Sequence, residues 1–192
     1  MANIPDLSLP ETAPSVARYR DQPSELLPAA LYTLVDLPDD ELRELQRICE
    51  TGCIDTGSSP GDSVRIAPQP HFVGQPLRAV FDSHLQLADL HDNQYDPTYF
   101  IVAIEQNWRD RGVLLVALDD DDLECKVDSC RFKAEDSGLN VANLQISNMG
   151  WSELKENEPV DRSQSDADDE NEGDGAGIYD DDAIDEEGND SG

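Results

Sequence analysis

Tyr99-Phe-Ile-Val-Ala-Ile104 and Val113-Leu-Leu-Val-Ala-Leu118 are two short runs without a single charge. Neither approaches the roughly 20 apolar residues of a membrane span, and both have the length of strands. A strand that is apolar at every position is covered on both faces, so these two belong at the centre of a sheet. The connector between them, Glu105 to Gly112, is short. It favours adjacent, antiparallel pairing over a helical crossover.

Working outward, Ala30-Leu-Tyr-Thr-Leu-Val-Asp-Leu37 is rich in strand-forming types. Pro38-Asp-Asp-Glu then opens a helix whose first-turn acids complement the positive end of the helix dipole. Leu42, Leu45, Ile48 and Cys49 recur at steps of three and four, an apolar stripe that ends near Gly52. Residues 54–70 carry Gly57, Pro60, Gly61, Pro68 and Pro70 and read as a long loop with a short strand at Ser63–Ile66. Pro76 opens a second helix with Leu77, Val80, Phe81, Leu85 and Ala88 on one face.

Beyond the central strands, Asp119–Asp122 reads as a turn and Leu123–Phe132 as an alternating edge strand paired with 113–118. Lys133–Gly138 reads as a turn or one helical turn, and Trp151-Ser-Glu-Leu-Lys-Glu as a short helix. The expectation is an α/β fold. Residues 25–160 form one compact domain, with a mixed or mostly antiparallel sheet of four to five strands and helices packed on it. Residues 1–24, with Pro5, Pro10, Pro14 and Pro23, read as a Pro-rich mobile arm. Residues 161–192 hold fourteen acids, one base and few large apolar groups, and read as a disordered acidic tail.

The 192-residue chain has a net charge of −30 from 43 acids and 13 bases. The tail accounts for −13, so residues 1–160, with 29 acids and 12 bases, still carry −17. An acidic body without a basic stripe repels nucleic acid and anionic membrane. The charge fits a basic protein partner, or no charged partner at all. The N-terminus lacks the basic and apolar regions of a secretory signal, which predicts an intracellular protein, cytoplasmic or nuclear.

Chemical motifs are scarce. Cys49, Cys53, Cys125 and Cys130 are spaced C-x3-C and C-x4-C rather than as zinc knuckles, and read as free thiols. His71, His84 and His91 share no ligand spacing with them. His84, among Phe81, Leu85 and Leu87, reads as a flank of an apolar helix face. The carboxylates of Asp119–Asp122 lack the alternation of a calcium loop and read as a solvated turn. No phosphate-cradling Gly motif and no Ser or Cys nucleophile signature occurs. No catalytic residue, metal ligand or cofactor is assigned. In Leu139–Trp151, amides alternate with apolar residues. The bland reading has Trp151 closing the core; the sharper one makes Asn143, Asn148 and Trp151 a polar recognition rim around an aromatic anchor. Ser163, Ser165 and Ser191 sit among acids and fit acid-directed kinases.

Asn143, Leu144, Ile146, Asn148, Met149, Trp151 and Glu153 spell Asn-Leu-x-Ile-x-Asn-Met-x-aromatic-x-Glu. With two apolar strands before it, this resembles the closing motif of a family of small domains of unknown function found in actinomycetes and fungi. The resemblance covers about residues 26–157, more loosely over Ala30–Leu45 and Phe72–Leu85. It implies one compact α/β domain and no particular activity or cofactor. The function expected is a non-catalytic acidic interaction domain that binds a basic protein. The alternatives are a small enzyme with a site assembled from scattered His and carboxylate residues, and an inhibitor or immunity-like protein.

Overall fold

A computed structural model describes residues 5–20, 26–90 and 94–157. The tail, its boundary near Val160, His91 and the three tail serines lie outside the described residues. The strands β1 (Ala29–Thr33), β2 (Val64–His71), β3 (Tyr99–Ala103), β4 (Val113–Ala117) and β5 (Asp128–Phe132) form one sheet in the order β2-β1-β3-β4-β5. β1 runs parallel to both its neighbours, and β3-β4 and β4-β5 are antiparallel. The sheet is therefore mixed, and the two charge-free runs lie inside it, as their composition requires.

Helices cover both faces. On one lie α1 (Asp39–Cys49), α5 (Ala134–Gln145) and α6 (Trp151–Asn157); on the other lies α3 (Leu77–Leu90). Strand pleating divides the apolar runs between two cores. Leu31, Ile101, Val113 and Leu115 point toward α1 and α5, whereas Tyr32, Phe100, Val102, Leu114 and Val116 point toward α3. This two-sided demand explains why β1, β3 and β4 tolerate almost no polar residue.

The short β3-β4 connector holds the single turn α4 (Trp108–Arg111) and ends on Gly112 at φ 72°. A Cβ there would sit 2.1 Å from the Phe132 carbonyl oxygen, so the position needs glycine on two counts.

Four local expectations require correction. First, β2 is eight residues long rather than a short strand in a loop. It is an edge strand, and its register against β1 breaks between Leu31 and Thr33. Pro68 and Pro70 fall in that break, where no ladder donor is needed. Second, β5 begins only at Asp128, because Leu123 and Cys125 adopt φ of 58° and 57° and interrupt the extended chain. Third, α5 starts at Ala134 and runs twelve residues, where a turn or one helical turn was expected. Fourth, residues 5–20 are irregular up to a 3₁₀ helix at Pro14–Tyr19, and they are packed on the protein rather than extending as a free arm. Leu7, Leu9, Ala13, Val16 and Tyr19 pack into the α3-side core. Leu77 N–H donates to the Asp6 carbonyl at 2.8 Å, and Ala13 N–H to that of Cys125 at 2.8 Å.

Candidate functional site

Charge is the leading chemical property of the chain, so the disposition of its charged side chains comes first. Nine of the body's Lys and Arg side chains form ion pairs with carboxylates of the same fold. Arg109 meets Glu41 at 3.0 Å, and Arg111 and Arg131 share Glu105 at 3.5 and 2.8 Å. Arg20 forks onto Asp119 with contacts of 2.6 and 2.7 Å. Surplus carboxylates face solvent instead. Asp40, Asp55, Asp110, Asp122, Glu135, Glu153 and Glu156 are all exposed, and none of them has an ion-pair partner among the described residues.

The Asp119–Asp122 run is not a uniformly solvated turn. Asp119 is buried and accepts the Cys125 N–H at 2.7 Å while pairing with Arg20. Asp120 accepts the Glu124 N–H at 2.7 Å. Asp121 accepts the N–H groups of Trp151 and Ser152 at the start of α6. Asp122 is exposed and has no such partner among the described residues. Three consecutive carboxylates are therefore each engaged, Asp119 by Arg20 and Cys125, Asp120 by Glu124 and Asp121 by the start of α6, and do not converge on a cation. Among the described residues, no group of three or more His, Cys, Asp or Glu side chains is placed to hold a metal ion.

Sequence reasoning missed Glu50. It is buried, and its Oε1 accepts the N–H of Gly61 at 2.7 Å and of Val64 at 3.3 Å. It latches the loop after α2 (Thr51–Asp55) to the end of α1. A lone Glu at a helix end carries no sequence signal of such a role.

Of the groups an enzyme would draw on, His84 and three of the four cysteines are buried, whereas His71 is exposed, with Nε2 3.6 Å from Asp39 Oδ1. His84 is fully buried, and desolvation lowers its pKa to about 4, against a smaller opposing effect from the Pro97 and Asp96 backbone. It is a member of the apolar face rather than a flank. Burial pushes the Cys49 thiol up to about 12 and raises Cys53 and Cys130 as well. All four cysteines are free thiols.

Asn143, Asn148 and Trp151 do not form a rim around an exposed ring. Trp151 is only 4% exposed and packs edge-on to Phe132 at 6.5 Å. Its indole N–H donates to Asp128 at 2.9 Å, which satisfies the buried donor. Asn148 Nδ2 donates to Asn143 Oδ1 at 3.3 Å across the turn between α5 and α6. The two amides thus tie the turn, and the ring closes the core because its polar edge has an internal acceptor.

Clefts of about 490, 350 and 200 Å³ indent the surface. The first is lined by Cys53, Asp62, Ser63, Arg65 and Gln145, among others. The second is lined by Trp108, Arg109, Asp110 and Lys133, and the third by Tyr32, Gln69, Ser83 and Gln86. None of the three places a histidine beside a carboxylate. Among the described residues, no helix is long and apolar enough to cross a membrane. Comparison with known protein families, curated proteins and solved structures finds no match.

Proposed function

We propose that this protein is a non-catalytic acidic interaction domain whose partner is a basic protein. One observation carries the reading: the body's cations are largely consumed by internal ion pairs, and the surplus carboxylates remain at the surface. A cation held by a carboxylate of its own fold is poorly available to a phosphate or to an acidic partner. An unpaired surface carboxylate is available to a Lys or Arg from outside. The field of such a surface speeds encounter with a positively charged partner and repels polyanions.

The burial of His84, Cys49, Cys53 and Cys125 supports the non-catalytic side of this reading. The resemblance of Asn143–Glu153 to a family's closing motif belongs to the same proposal. Its residues tie the turn between α5 and α6 and supply the core with Leu144 and Trp151.

Titration of the full chain with a folded, lysine-rich protein and with duplex DNA at low ionic strength tests the reading. Saturable association with the basic protein alone is expected. Binding to the DNA, or to neither, overturns it.

A further inference from the structure

One buried group is idle in the function proposed above. His84 projects from the middle of α3 into the core between α3 and the sheet. Its ring lies 4.6 Å from that of Phe100 on β3 and 6.0 Å from that of Tyr32 on β1. Nδ1 is 3.2 Å from the Tyr32 hydroxyl. Nε2 is buried and, among the described residues, completes no hydrogen bond. Among the described residues the only side chain bonded to the imidazole is thus a neutral hydroxyl, the Pro97 and Asp96 backbone favours its proton only weakly, and no carboxylate pairs with it. A second proton on this ring would place an unpaired positive charge among aromatic side chains, which is costly unless the site opens to water.

We propose that His84 is an acid-sensitive latch: its protonation releases α3 and the N-terminal segment from the sheet and leaves the opposite face closed. The architecture confines the event. The two faces have separate cores, and His84 belongs to only one of them. Residues 5–20 share that core, and the Asp6 carbonyl is bonded to the first residue of α3, so they would loosen with the helix.

Among the described residues, the titratable groups around the ring are Tyr32 on β1, and Tyr95 and Asp96 in the segment before β3; β3 presents Phe100. Burial holds Tyr32 and Tyr95 neutral over the relevant range. Asp96 acts with the opposite sign. Desolvation raises its carboxyl, so the folded state takes up that proton more readily and gains stability as pH falls. Its carboxylate faces the N–H groups of Thr98 and Tyr99 and the Gln145 amide rather than the imidazole. A comparison that changes only His84 leaves the Asp96 contribution in both arms.

The sign for His84 follows from its depressed value. The closed state disfavours the proton, so the latch is fully stable above the unfolded pKa near 6.5 and weakens as pH falls toward about 4. Between pH 7 and pH 5 the opening constant should rise about 20-fold from this group alone.

The test is amide hydrogen exchange on the full chain at pH 7 and pH 5, corrected for intrinsic exchange rates, for the wild type and for His84→Phe. The expected result is a pH-dependent opening of α3 in the wild type, absent in His84→Phe, with the α1 and α5 amides unchanged in both. Equal pH dependence in the two chains, or equal opening of both faces, overturns the proposal. Imidazole nitrogen shifts of the wild type give a readout that does not depend on the variant folding. A ring still neutral at pH 5 supports the latch, and one titrating near 6.5 in the closed protein contradicts it.

Discussion

Asp121 caps the helix that Trp151 begins. Its Oδ1 accepts the Trp151 N–H at 2.6 Å and its Oδ2 the Ser152 N–H at 3.0 Å. A carboxylate thirty positions earlier in the chain thus satisfies two amides that α6 itself leaves open. The same contact joins the loop after β4 to the last described helix. Loss of such a cap costs about 1 kcal/mol. Asp121→Ala should therefore lower unfolding free energy by about that amount in urea, whereas Asp122→Ala, at an exposed residue next door, should stay within about 0.5 kcal/mol of wild type. Equal losses would show that the four aspartates act as an undifferentiated charge cluster.

Gly138 is where α5 meets α1. A Cβ at this position would lie 2.4 Å from the Cys49 carbonyl oxygen and 3.1 Å from the Val64 side chain. Gly138→Ala should cost about 1–3 kcal/mol by overpacking, although alanine is the better helix former. Thermal or urea unfolding decides between the two effects. A stabilised variant would mean that the helices separate more easily than their contact suggests.

That glycine also marks a boundary of what sequence can convey. The central strands were legible because Phe100–Ile104 and Val113–Leu118 are apolar at every position, which only two-sided burial rewards. The stripes of α1 and α3 were legible from their three- and four-residue steps. α5 was not, because Ser137, Gly138, Asn140 and Asn143 are weak helix formers, and its helicity is enforced by close approach to Cys49. The packing of residues 5–20 was hidden for a related reason. Leu7, Leu9, Ala13 and Val16 follow no helix or strand period, and their partners are distant in sequence. Of the candidate rim, the residue types pointed to a turn and an aromatic. Only the position of Asp128 shows which way the indole N–H faces and hence that Trp151 is internal.

Asp128 holds both the Trp151 indole and the Lys155 ammonium, the latter at 2.5 Å. Burial raises its carboxyl, but the Lys155 and Trp151 hydrogen bonds outweigh that and bring the pKa below its ordinary value. The carboxylate therefore contributes stability that is present above pH 4 and is lost as pH falls through the depressed value. Asp128→Asn should be less stable than wild type at pH 6, and the gap should narrow toward pH 2. Urea midpoints at the two pH values measure it; a gap that widens in acid would contradict the assignment.

The central claim is that the folded body itself, and not only the acidic residues after Val160, attracts a basic partner. The most direct measurement is the affinity of the full chain and of a chain ending at Val160 for one lysine-rich protein, across a series of salt concentrations. With −17 of the −30 net charge in residues 1–160, the shorter chain should still bind, more weakly, and both affinities should fall as salt screens the surface. Complete loss of binding in the shorter chain, or binding indifferent to salt, would contradict the account.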